Sequence, residues 1–139
     1  MSLTPAPAKS AVTVPTASAQ GFKVPVDYFT LPNGLKVVVS EDHAAPVVLV
    51  EVMYNIGFRV EPKGRTGFAH LFEHMMFQGS QHHDKDFIES MEPIGATDLN
   101  GTTDFDRTNY FENVPPSALE HTLWLESDRL GFLLPAMTQ

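Results

Sequence analysis

A chain of 139 residues with 42% hydrophobic content is suited to one domain of modest size. It has no cysteine, which excludes disulfides and thiolate metal sites. Net charge is −8, and all 17 acids lie from Asp27 onward with only seven of the nine bases. No basic stripe is left for nucleic-acid phosphates, and no apolar run nears the about 18 residues of a membrane span.

Residues 1–21 are rich in Ala, Pro, Ser and Thr, carry one charge (Lys9) and lack an apolar period. They read as a flexible leader ahead of a domain over residues 22–139. Ala17-Ser18-Ala19 resembles a signal-peptidase site, although the stretch before it is too polar and too proline-broken for an export segment. A periplasmic or otherwise exported bacterial location is the expectation, as is no membrane span.

The rest alternates strands and helices. Tyr28–Leu31 and Leu35–Ser40 form a hairpin, with Asn33-Gly34 supplying positive φ. Val47–Tyr54 is a third strand, apolar enough to be central. A Gly- and charge-rich loop over residues 55–66 leads to a helix from about Gly67 to Phe77. His82 and His83 fall in a polar loop, where adjacent imidazoles are usually solvated. Lys85–Met91 is a short helix stopped by Pro93 and Gly95. Thr97–Thr103 and Thr108–Asn113 are strands. Pro115-Pro116 opens a last helix, Ala118–Leu130, with Leu119, Leu123, Trp124 and Leu130 on its buried side and Gly131 ending it. The expected fold class is α+β, an antiparallel or mixed sheet with helices packed on one face.

The chemistry concentrates in His70-Leu71-Phe72-Glu73-His74. On a helix, His70 and His74 leave the same face, so two imidazoles can grip one zinc ion while Glu73 borders it. Burying three such groups on one apolar turn without a metal costs several kcal/mol. The order His-x-x-Glu-His is the inverted zinc-peptidase pattern, with the acid next to the second His.

Several motifs then follow in order: Leu31-Pro32-Asn33-Gly34-Leu35, Gly64 through Met75, Phe77-Gln78-Gly79-Ser80, Asn100-Gly101-Thr102-Thr103, and Trp124 through Leu130. Together they resemble the pitrilysin/insulinase family of zinc peptidases, which includes the mitochondrial processing peptidases, most closely its bacterial members. The resemblance implies zinc ligation by His70 and His74, with Glu73 as general base of a metalloendopeptidase. Asn100, Gly101 and Thr102 match an edge-strand segment on which a peptide substrate lies down as an added strand. Position 101 is more often Ala in the family.

The resemblance also implies a third zinc ligand, a Glu on a later helix expected beyond residue 139, and a second half-domain or subunit closing over the substrate. The domain is therefore expected to be incomplete at its C-terminal end. Two imidazoles alone leave a weak, open site, since protein zinc sites use three or four ligands. Glu126, Asp128 and Asp104 are the acids that could stand in, read first as surface or capping residues. Two alternatives accompany the peptidase reading. One is a non-catalytic subunit of the family, against which the intact motif argues. The other is an inactive fragment acting in assembly. S-ribosylhomocysteine lyase shares the helix motif but takes a cysteine as third ligand, which this chain lacks.

Overall fold

The computed structural model describes residues 23–137, so the leader read at residues 1–21 lies outside the described residues. The chain divides into two compact units, one ending at Asp42 and one starting at His43. In the first, β1 (Asp27–Thr30) pairs antiparallel with β2 (Lys36–Val39), Tyr28 opposite Val38. Only Gly34 takes positive φ in their turn, at 90°. Asn33 contributes differently from expectation: its Oδ1 accepts the Leu35 N–H at 3.1 Å. The Leu31 carbonyl accepts from Gly34 N at 2.9 Å, closing a turn wider than a two-residue loop.

The second unit is built on a three-stranded antiparallel sheet of β3 (Val48–Tyr54), β4 (Thr97–Thr103) and β5 (Thr108–Val114). The strand order is β3-β5-β4. β5 is therefore central and β3 lies at an edge, which corrects the expectation of a central third strand. The apolar run of β3 does not signal burial on both faces. Val50 is buried, whereas Leu49 and Met53 are 61% and 56% exposed, so the strand alternates like any half-covered one.

Three helices cover the face that Val50 shares: α1 (Phe68–Met75), α2 (Phe87–Met91) and α3 (Leu119–Ala136). Asp86 caps α2, its Oδ1 accepting from Ile88 N at 2.8 Å and Glu89 N at 3.2 Å. A 3-10 turn, Glu92–Ile94, then stops it, with Pro93 in the first turn and Gly95 as the left-handed cap. The core is made by Val50 and Val114 from the sheet, Phe87 and Met91 from α2, and Ala118 and Leu125 around α3. This is the expected α+β class, with helices on one sheet face.

α3 departs from the sequence reading in phase and length. Leu123, Trp124 and Leu130 are 52%, 44% and 50% exposed, while Thr122, Leu125, Glu126, Asp128, Arg129 and Leu133 face inward. The reason is a buried ion pair. Arg129 Nε donates to Glu126 Oε2 at 3.0 Å, and a second bond runs from Nη2 to Oε1. The guanidinium carbon lies 4.0 Å from the Phe87 ring centre and 4.2 Å from that of Tyr110. A buried ion pair is tolerated only with its partners in place, so these partners set the rotation of the helix against the leucine stripe.

Gly131 does not end the helix, which continues to Ala136. It is exposed, with nothing within 4 Å of where a Cβ would stand. Gly131→Ala should therefore stabilise the protein by about 0.5–1 kcal/mol, the usual cost of glycine in a helix interior. The readout is a raised urea midpoint; an unchanged or lowered midpoint would mean that α3 breaks at Gly131.

Candidate metal centre

α1 begins without a side-chain cap of its own. Glu61, from the preceding loop, takes that role. Its Oε2 accepts from Gly67 N at 3.0 Å and its Oε1 from Ala69 N at 2.9 Å, satisfying two of the orphan N–H groups with a charge suited to the helix start. The only signal for Glu61 in the sequence is an acid a few residues ahead of the helix, too common to single out.

His70 and His74 emerge exposed on one side of α1, with Nε2 atoms 3.2 Å apart. Two nitrogens bound to one tetrahedral zinc at about 2.0–2.1 Å would be about 3.3 Å apart. Glu73 joins them: one donor atom from each of the three residues lies within 4.8 Å of the others. The residues present therefore fit a zinc ion. No other group of three His, Asp or Glu among the described residues does so.

Glu73 is buried, 7% exposed, and held from two strands. The Thr103 hydroxyl of β4 donates to its Oε2. The Tyr110 hydroxyl of β5 donates to its backbone carbonyl at 3.3 Å. Glu73 and Tyr110 also line an apolar cavity of about 330 Å³, walled further by Tyr54, Val60, Phe68, Phe72 and Met76.

Asn100, Gly101 and Thr102 lie on β4, an edge of the three-stranded sheet. Their side chains split between its faces. A Cβ on Gly101 would come within 3.1 Å of the Tyr110 ring and 3.2 Å of Phe77, so glycine lets two aromatic rings close over the strand. Thr102 faces away from α1, where Arg107 Nη1 donates to its Oγ1 at 2.9 Å and to Asn109 Oδ1 at 2.6 Å. Asn109 Nδ2 in turn donates to Glu51 at 2.6 Å. Asn100 Oδ1 accepts the Gly101 N–H at 2.9 Å.

The acids considered as stand-in ligands are committed elsewhere. Glu126 is held by Arg129. Asp128 is buried, not superficial: it accepts from the Ser80 hydroxyl, from His82 N at 3.3 Å, and pairs with His82 Nδ1 at 2.6 Å. Burial would push its carboxyl up, but the bonds from Ser80 and His82 hold it below the usual carboxylate range. Asp104 Oδ1 accepts the Phe105 N–H at 2.7 Å. The histidine pair of the polar loop is also anchored rather than merely solvated, His82 by Asp128 and His83 by Ser90 at 2.5 Å.

Behind the site, Glu112 is 1% exposed, with its carboxyl set beside that of Glu126. Burial, reinforced by the neighbouring Glu126 charge, pushes it up to about 8 against the pull of Arg129. Glu126 is raised in the same sense by burial, with Arg129 opposing. The folded protein thus binds a proton at Glu112 that the unfolded chain releases above 4.5. The stabilisation is complete below that value and is lost as pH rises towards about 8. Glu112→Gln, which mimics the protonated form, should flatten this decline. Urea midpoints at several pH values in that window decide it: parallel curves for the two proteins would mean Glu112 is ionised in the fold.

Residues 36–129 match the family model described as insulinase (peptidase family M16). With helix-borne His70, Glu73 and His74 packed against an antiparallel sheet, the chain belongs to this family of zinc peptidases. It is 32% identical over 117 residues to the zinc protease PqqE of Helicobacter pylori, covering 83% of this chain and 26% of that protein. It is 34% identical over 102 residues to a probable mitochondrial-processing peptidase subunit beta of Arabidopsis thaliana, covering 73% of this chain and 19% of that one. Among solved structures it is similar to a protease from Helicobacter pylori, with a TM-score of 0.76, 31% identity, and coverage of 81% of this chain and 27% of the other. The chain thus spans about a quarter or less of the length of these relatives.

Proposed function

We propose that this chain carries the zinc-binding and proton-transferring part of a metalloendopeptidase. The observation that carries the reading is the 3.2 Å separation of the two Nε2 atoms, with the buried carboxylate of Glu73 beside them. His70 and His74 would hold the ion. Zinc supplies Lewis-acid chemistry in such a site, polarising a carbonyl and making water nucleophilic near neutral pH. Glu73 takes the proton of the attacking water and returns it to the nitrogen of the leaving amine. The family resemblance implies a carboxylate on a later helix as third ligand, in keeping with Glu126, Asp128 and Asp104 being otherwise engaged.

The substrate in this reading is an extended peptide added to the free edge of β4 along Asn100, Gly101 and Thr102. Backbone pairing binds many sequences, and side-chain pockets supply preference. Docking there exchanges the Asn100–Gly101 bond for one to the peptide. A second half-domain or subunit of the same family closes the site from the opposite side.

In the intact protein, Glu73→Gln should retain zinc and lose roughly a hundred- to ten-thousandfold in peptide turnover. His70→Ala should lose the metal. Zinc content and cleavage of an unstructured peptide are measured on the same samples. Loss of zinc from Glu73→Gln would move Glu73 into the ligand set, and full activity without zinc would end the metallopeptidase reading.

A further inference from the structure

We propose that Thr103 is a positioning residue for Glu73, locking the carboxylate beside the imidazoles and tying it to the strand that receives the peptide. This inference rests on the peptidase reading for its consequence, though not for the contact itself.

Glu73 is a flexible side chain on a short helix of eight residues. Helix geometry delivers its Cβ to the site but leaves its outer torsions free. The Thr103 hydroxyl closes that freedom by donating to Oε2. Oε1 accepts no hydrogen bond among the described residues, so one oxygen is fixed and the other is left to exchange a proton.

The direction of the Thr103 bond follows from its neighbour. Thr108 Oγ1 lies 3.3 Å from Thr103 Oγ1, but its proton goes to the Ile56 carbonyl at 3.0 Å. Thr108 can therefore only accept, and it has no proton with which to turn Thr103 around. Of the two acceptors within reach of Thr103, the carboxylate is the stronger, and charge-assisted bonds are the shorter kind. A hydroxyl beside a charged oxygen is oriented as a donor, which suits Glu73 while it carries negative charge.

Thr103 also belongs to β4, opposite Thr108 in the register, two residues from Gly101 and on the same face. A peptide pairing along Asn100–Thr102 is thereby in fixed register with the carboxylate. A displacement of the strand is felt by Glu73 through one side chain, with no intervening loop.

Two measurements decide this. In the metal-free protein, urea midpoints are compared for Thr103→Val, Glu73→Ala and the double variant. The expected result is non-additivity, the double variant falling less than the two single losses together; additive losses overturn the contact. In the zinc-loaded intact protein, Thr103→Val should lower kcat roughly ten- to a hundredfold, as removal of an outer-shell partner commonly does. KM and zinc content should stay unchanged, and Thr103→Ser should recover kcat. An unchanged kcat, a loss confined to KM or zinc, or no recovery by serine overturns the positioning role. A wild-type protein that binds zinc but cleaves no peptide would refute the peptidase reading instead, and the midpoints of the metal-free variants would still decide the Thr103–Glu73 tie.

Discussion

The guanidinium of Arg129 is the interaction on which this architecture depends. At 2% exposure it has given up nearly all its water, and what replaces the water comes from three parts of the unit. Glu126 supplies the counter-charge from the same helix, and Phe87 of α2 and Tyr110 of β5 supply aromatic faces. Phe77, just past α1, stands further off at 5.9 Å. Removing Glu126 would leave an unpaired charge in a low-dielectric core, which is far costlier than losing a contact of neutral groups. Cation and rings therefore constrain where α2, α3 and the central strand can sit.

The candidate metal centre inherits that constraint. Tyr110 receives Arg129 on its face and donates its hydroxyl to the Glu73 carbonyl. Its ring also meets Phe77 at 5.5 Å, and the two rings occupy the space above Gly101. The motif helix and the edge strand are thus both seated on one tyrosine, whose own placement is set by a charge on another helix. Burial in this cluster raises Tyr54 to about 12 and Tyr110 higher still, so both stay neutral hydroxyls across the physiological range.

Much of this was legible before any coordinates. The His-x-x-Glu-His spacing fixed the imidazole face because helical periodicity needs no tertiary information. The strand at residues 97–103, and all but the last residue of the one at 108–114, were marked by the turn residues around them. The reading failed where a long-range partner overrode a local pattern. Leu123, Trp124 and Leu130 look like a buried stripe, yet the polar Thr122, Glu126 and Arg129 face the core. The Glu126–Arg129 pair is accommodated there because Phe87 and Tyr110 cover the guanidinium, and neither ring is near in sequence. The i,i+3 spacing of Glu126 and Arg129 was the available clue, though most such pairs lie on surfaces. The cap by Glu61 and the bond from Thr103 to Glu73 escaped for the same reason: capping from a loop and a cross-element hydroxyl bond leave no periodic trace. β3 was misplaced because its apolar content reports neither burial on both faces, Leu49 and Met53 being exposed, nor the number of neighbouring strands.

The bond from the Gly101 N–H to the Asn100 side chain bears on a hazard common to every open sheet edge. An edge able to recruit a peptide is equally able to recruit another copy's strand, the first step of aggregation. Natural edges are usually blunted with lysine, proline or a covering helix, all of which would also repel a ligand. An amide that folds back on its own backbone is a reversible guard. It satisfies the donor in the structure, and in the proposed docking a peptide would replace it at the cost of one hydrogen bond. β4 adds a second deterrent near its start, where Asp98 adopts a positive φ of 52° and the pairing with β5 shifts register. A flat incoming strand can follow the edge only from Asn100 onward, so the run open to illegitimate pairing is kept short.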